Sequence, residues 1–304
     1  MTQSPSALHW LDDETLVCAG TTILAVFDDR SQELQSTPER FILMKSRDMV
    51  DWYERTFAGE DRPRRVLEIG IFKGGSVALF SEMWDPERLV AVDIAAEPVA
   101  ALTEYVARCD LRDSVKPLYG IDQADREMMR SIIAEEFGGA ALDLVVDDGC
   151  HFYQETKAAF EAVLPFVRPG GTYVIEDWGW AHWPGVWQED GGPWPDKPAM
   201  SMLVLELAML CASRSDLIES MEITPGLIVV RRGEAEAVDL SFTLSGTCLT
   251  AGRLFVEEGF APSDRELAHA VEVARLNDRI RALEASHSWR ATAPLRWIGR
   301  ALRG

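Results

Sequence analysis

The chain has 304 residues, 47% hydrophobic and 26% charged, the profile of a soluble globular protein built as one large domain with appendages. A formal net charge of −20 repels phosphate backbones and speaks against a nucleic-acid partner. Cys18, Cys109, Cys150, Cys211 and Cys248 form no C-x-x-C pair, there is no run of about 18 apolar residues, and the start "MTQSPSALHWLDDE" lacks a basic n-region, so no disulfide framework, zinc site, membrane span or secretory signal is expected and a cytoplasmic location is.

Residues 1–37 read as an N-terminal extension, with "TLVCAG" and "TTILAVFDD" as a small hairpin. The segment 38–57 reads as a helix packed ahead of the first strand of the main domain. Five apolar runs then follow: "RRVLEIG" (64–70), "RLVAVDI" (88–94), "SVKPLYG" (114–120), "LDLVVDD" (142–148) and "GTYVIED" (171–177). Continuous apolar runs suit parallel strands buried on both faces. Helix-length segments lie between them, among them 97–109 and 154–167. This alternation predicts a doubly wound α/β domain. After a helix near 199–213, "LIESMEITPGLIVVRRG" (217–233) reads as two strands around a Pro-Gly turn. The domain is expected to span 38–258, with five parallel strands and a closing antiparallel hairpin.

Residues 259–304 form a different C-terminal appendage. Ser263 and Glu266 match a capping box, and Val273, Leu276, Ile280 and Leu283 make a short apolar seam. From residue 279 onward, six arginines face one acid. Leu295, Ile298 and Leu302 share a face there, largely opposite Arg296, Arg300 and Arg303. A basic amphipathic helix of this kind suits peripheral membrane contact or protein docking. The appendages at both ends would allow a homo-oligomer.

The first strand ends in Glu68-x-Gly70-x-x-x-Gly74-x-Ser76. Glycines there let backbone approach a ligand, and the following helix N-terminus offers free N–H groups. The dinucleotide spacing G-x-G-x-x-G fails, because position 72 is Phe. Glu68 would repel a pyrophosphate and suits a cationic amine. Asp93 ends the next strand and is placed for ribose hydroxyls. Asp122 ends the third, within reach of an adenine amine. Amine, ribose and adenine together describe S-adenosylmethionine (SAM).

"VVDDGCH" (145–151) and "VIEDW" (174–178) end the fourth and fifth strands in carboxylates. Asp147 and Asp148 on one strand end and Glu176 and Asp177 on the next would bring three or four carboxylates together, which repel one another unless a cation sits among them. Oxygen ligands favour Mg²⁺, or else Mn²⁺ or Ca²⁺. His151 is then placed to take a proton. Asp147 reads as a cap of the following turn and Cys150 as packing. Residues 177–197 hold Trp178, Trp180, Trp183, Trp187 and Trp194, a candidate lid over an acceptor, with His182 as a second base candidate.

From roughly residue 40 to 233 the chain resembles the class I SAM-dependent methyltransferases. The pair "DDGCH" and "IEDW" is similar to the metal-dependent macrolide-sugar and rhamnosyl O-methyltransferases and the related cephalosporin-hydroxylase-like proteins. Cys150 departs from a position where that group often has Ser. The resemblance implies a SAM- and Mg²⁺-dependent O-methyltransferase acting on a sugar hydroxyl of a glycan, glycoside or nucleotide sugar. Asp148, Glu176 and Asp177 would be its metal ligands and His151 its general base. An acceptor with vicinal hydroxyls is expected, because a diol chelates the cation. A polyketide or catechol-like acceptor would chelate it equally well, and a non-catalytic SAM-binding partner protein is the alternative from another class.

Overall fold

The structure is a computed structural model that describes residues 8–28, 30–183 and 197–247. The chain divides into two compact units, 1–249 and 250–304. The C-terminal seam and basic helix expected from the sequence lie outside the described residues, as do Trp187 and Trp194.

Four short strands open the chain: β1 (His9–Trp10), β2 (Thr15–Cys18), β3 (Thr21–Ala25) and, after the single-turn helix α1 (Arg30–Glu33), β4 (Arg40–Leu43). β2 and β3 form the expected hairpin, and β4 adds to β3 in parallel. Here the expected helix over 38–57 is corrected. Its first part is β4, and the helix α2 begins only at Arg47 and runs to Thr56. The break is chemical: Phe41, Ile42 and Leu43 are buried on both sides as a strand, and the Ser46 side chain then caps α2 by accepting from the Met49 N–H.

The main body alternates β5 (Arg65–Ile69), α3 (Gly75–Trp84), β6 (Arg88–Asp93), α4 (Ala100–Arg108), β7 (Val115–Tyr119), α5 (Arg126–Phe137), β8 (Leu142–Asp147), α6 (Tyr153–Val163), β9 (Val167–Glu176) and α7 (Ser201–Ser213), and ends in the hairpin β10 (Ile218–Ile223) and β11 (Leu227–Arg232) before the short α8 (Leu244–Thr247). The seven strands lie in the order β10-β11-β9-β8-β5-β6-β7. β5 to β9 are mutually parallel, and β11 and β10 add antiparallel. This is the predicted doubly wound, Rossmann-like sheet.

Side chains alternate across the sheet with the strand period. Val66, Leu89, Leu144 and Val174 face one way, towards α2, α3, α4 and the small sheet. Leu67, Val90, Val145 and Tyr173 face the other, towards α5, α6 and α7. α3 is buried nearly all round because the small sheet covers its outer side. A Cβ on Gly75 would lie 2.2 Å from the Ile42 carbonyl oxygen, so only glycine lets β4 come that close. The chain leaves β5 for β6 on one side and returns to β8 on the other. Ligands in such sheets bind at this reversal, beyond the carboxyl ends of the strands.

Candidate active site

A cavity of about 610 Å³ opens at that point. Its lining comes from the glycine loop (Gly70, Ile71, Phe72, Gly75, Ser76), the ends of β6 and β7 (Asp93, Ile94, Asp122, Gln123), and the acidic ends of β8 and β9 (Asp148, His151, Asp177), with Trp180 beside them. Of the predicted site residues, Gly70, Ser76, Asp93, Asp122, Asp148, His151 and Asp177 are drawn to one mouth, whereas Glu68, Gly74 and Glu176 lie off its lining.

Glu68 lies beneath the cavity rather than on its wall, fully buried on the α3 side of β5. Burial pushes its carboxyl up to about 8, against the pull of the Lys45 charge. Ser76 is near enough to favour the ionised form, yet neither Glu68 oxygen completes a hydrogen bond. Glu176 is also off the cavity wall. Its Oε1 accepts from the Tyr53 hydroxyl at 2.6 Å and its Oε2 from Lys45 Nζ at 2.5 Å.

The glycine loop is shaped by its own neighbours. Gly70 has φ +100°, and a Cβ there would lie 2.1 Å from the Asp148 carbonyl oxygen, so the close approach is to the β8 loop. Gly74, at φ +81°, caps α3 and leaves that helix's N-terminus open to the cavity. Asp93 Oδ2 accepts the Ile71 and Phe72 N–H groups at 2.8 and 3.0 Å, and its Oδ1 accepts from Ala95 at 2.8 Å. Oδ2 is thereby filled by two N–H groups, and Oδ1 keeps a lone pair for a ligand hydroxyl. Asp122 Oδ1 accepts from the Ala124 N–H at 2.9 Å, which fixes the turn after β7. Gln123 spans to the acidic loop, accepting from the Cys150 N–H at 2.9 Å and donating to Asp147 at 3.3 Å. Asp147 points away from the cavity and takes the Tyr173 hydroxyl at 2.9 Å.

Asp148, His151 and Asp177 each offer a ligand atom, and these atoms lie within 4.8 Å of one another. Asp148 Oδ2 accepts from Lys45 Nζ at 2.7 Å, while Oδ1 lies 3.8 Å from His151 Nε2. Burial together with Asp148 and Glu176 pushes the Asp177 carboxyl up to about 8. Asp177 Oδ1 is buried with no hydrogen-bond partner. An orphaned carboxylate oxygen beside a second carboxylate is an oxygen donor pair of the kind a hard divalent cation takes. Burial lowers the His151 imidazole to about 4, against the opposing pull of Glu176, so the ring is neutral at pH 7. It packs on Trp180 with centroids 4.3 Å apart.

Of the other aromatic-loop residues, Trp178 Nε1 donates to the Thr224 carbonyl at 2.8 Å, and His182 pairs with Ser201 Oγ at 3.0 Å, off the cavity lining. Lys45, Tyr53 and Gln123 carried no site signal in the sequence reading. Lys45 does end an apolar run, "FILMK", as Asp148 and Asp177 end theirs.

Residues 67–178 match the family model described as a methyltransferase domain. Its curated relatives include the mycinamicin VI 2''-O-methyltransferase of Micromonospora griseorubida, 31% identical over 175 residues, which are 54% of this chain and 40% of the relative. The 8-demethyl-8-(2-methoxy-α-L-rhamnosyl)-tetracenomycin-C 3'-O-methyltransferase of Streptomyces olivaceus is 36% identical over 141 residues, 44% of this chain and 33% of that one. The chain therefore matches well under half the length of these relatives. A solved structure of the MycE methyltransferase from the mycinamycin pathway, in complex with Mg, SAH and mycinamycin VI, superposes with a TM-score of 0.47 at 24% identity, over 64% of this chain and 50% of that one. Asp148, His151, Glu176 and Asp177 all fall within the matched methyltransferase domain, whereas Lys45 and Tyr53 precede it.

Proposed function

We propose that the protein is a SAM- and divalent-cation-dependent O-methyltransferase acting on a sugar hydroxyl of a glycoside, glycan or nucleotide sugar. The observation that carries this reading is one cavity whose lining joins two chemistries. The glycine loop, Asp93 and Asp122 contribute to it, and so do Asp148, His151 and Asp177. Relatives named as O-methyltransferases of rhamnosyl and olivosyl compounds support the sugar acceptor.

SAM bound against the glycine loop supplies the methyl group on its sulfonium. Asp93 would accept ribose hydroxyls and Asp122 the adenine amine, while Gly70, Gly74 and Ser76 shape the loop around the ligand. Glu68, buried behind Ser76, acts on that loop from below rather than touching the amine. Asp148 and Asp177 would hold the cation, which supplies Lewis-acid stabilisation of an acceptor alkoxide. Glu176 would reach it only by sharing oxygens already hydrogen-bonded to Lys45 and Tyr53. The neutral His151 ring accepts the acceptor's hydroxyl proton. Trp180, packed on His151 at the cavity wall, offers an apolar face to a sugar ring.

The test is transfer of a labelled methyl group from SAM to a panel of methyl rhamnosides and related glycosides, with Mg²⁺ and again with EDTA. Labelled product that disappears with EDTA and with a deoxy acceptor lacking the neighbouring hydroxyl is expected. Transfer unaffected by EDTA would refute the cation role. Transfer only to catechols would move the acceptor class to non-sugar products.

A further inference from the structure

We propose that Gln32, held on the cavity wall by Lys73, binds the amino-acid end of SAM, with Lys73 as its positioning residue. The inference rests on the cofactor reading above and deepens it with a contact from outside the matched residues 67–178.

The N-terminal layer contributes Gln32, Ile42, Leu43 and Met44 to the cavity lining, and Gln32 alone of these is polar. It lies on the single turn α1, too short a helix to hold its own shape. Lys73, in the glycine loop, holds it. Its Nζ donates to the carbonyls of Ser31 at 2.8 Å, of Gln32 itself at 2.7 Å and of Leu34. Carbonyls at the end of a helix lack partners within it, and an ammonium suits them. Ser36 Oγ returns the tie by donating to the Lys73 carbonyl at 2.8 Å. Gln32 is thereby fixed to the loop that opens α3. Its side-chain amide is exposed and has no hydrogen-bond partner among the described residues. Asp93 and Asp122 serve ribose and adenine in the cofactor reading, which leaves the ammonium and carboxylate of the methionine moiety to other groups. The free N–H groups of α3 suit the carboxylate. A side-chain amide both donates and accepts, so Gln32 can serve either charge. A merely structural tie between the two layers would hold the fold but would not sense which part of the cofactor is present.

The test is calorimetric binding of two probes to the full chain, S-adenosylhomocysteine and 5'-methylthioadenosine. The second keeps adenine, ribose and sulfur but lacks the amine and the carboxylate. Gln32→Ala is expected to weaken S-adenosylhomocysteine about tenfold and 5'-methylthioadenosine by less than about twofold. Lys73→Met should show the same split. The double variant Gln32→Ala/Lys73→Met should bind within about twofold of Gln32→Ala, because Lys73 acts through Gln32. Unchanged S-adenosylhomocysteine affinity in Gln32→Ala, or an equal loss for both probes, would overturn the inference. Wild-type affinity in Lys73→Met would overturn the positioning role. If Lys73→Met does not fold, Gln32→Ala decides, since it truncates an exposed side chain. If 5'-methylthioadenosine binds the wild type too weakly to measure, the tenfold loss in Gln32→Ala at an unchanged melting temperature supports the inference. Wild-type protein that binds neither probe would overturn the cofactor reading and this inference together, whereas failure confined to the variants overturns this one alone.

Discussion

His151 and Asp177 both sit in the left-handed backbone region, at φ +55° and +53°. Neither is glycine, and such a conformation costs on the order of 1 kcal/mol or more per residue, which the surrounding structure must hold in place. In Asp177 the strain coincides with an ionised group that burial disfavours. Its carboxyl is raised to about 8 in the fold, from an ordinary value near 4. The folded protein therefore holds a proton that the unfolded chain has lost, and this group's contribution to stability falls as pH rises from about 4 to about 8. Asp177→Asn removes that burden and suits the left-handed backbone. The variant should be more stable than the wild type by about 1–2 kcal/mol at pH 9, with a smaller gap at pH 5, in urea unfolding without added cation. The same variant should lose Mn²⁺ binding, a trade of function for stability. His151→Ala is expected to reduce methyl transfer by about 10²–10⁴-fold while leaving SAM affinity within about twofold of the wild type. A rate unchanged in that variant would remove His151 as the base.

The elements that build the site meet at close backbone approaches. Gly70→Ala would place a Cβ against the Asp148 carbonyl at a positive φ, and should destabilise the fold by about 2–4 kcal/mol in urea unfolding, because either β5 or the β8 loop must shift. Wild-type stability in that variant would mean that the two loops are not packed as described. The sequence made the five-strand alternation and the closing hairpin legible, since apolar runs of strand length stop abruptly at Gly or Asp. "VVDDGCH" and "VIEDW" were legible for the same reason: a buried strand rarely ends in paired carboxylates without a use for them. β4 was hidden. Its partner β3 lies some twenty residues earlier, a non-local pairing that no local pattern reports, and "RFILM" was absorbed into the helix that follows it. Lys45 was hidden with it. The glycine loop lines the cavity, but its packing against the β8 loop at Gly70 and its N–H bonds to Asp93 are contacts that no local pattern reports.

At the scale of the whole described body, the N-terminal layer is part of the site's construction. Ser36 Oγ donates to the Lys73 carbonyl at 2.8 Å and accepts from the Ile42 N–H at 3.0 Å, while Lys73 Nζ donates to the carbonyls of Ser31, Gln32 and Leu34. The small sheet, the glycine loop and the carboxylate cluster are thus tied in sequence, and no described helix is long and apolar enough to cross a membrane. A chain of net charge −20 also attracts cations over its whole surface. Mg²⁺ affinity should therefore fall several-fold between about 20 and 200 mM KCl, as screening sets in. A flat response would confine the attraction to the buried cluster. The most direct test of the central claim is calorimetric titration of Mg²⁺ into the wild type and into Asp148→Ala, each saturated with S-adenosylhomocysteine. One Mg²⁺ site in the wild type, lost in the variant while S-adenosylhomocysteine still binds, is the expected result. No Mg²⁺ binding by the wild type, or equal binding by the variant, would contradict the assignment of the strand-end carboxylates to a catalytic cation.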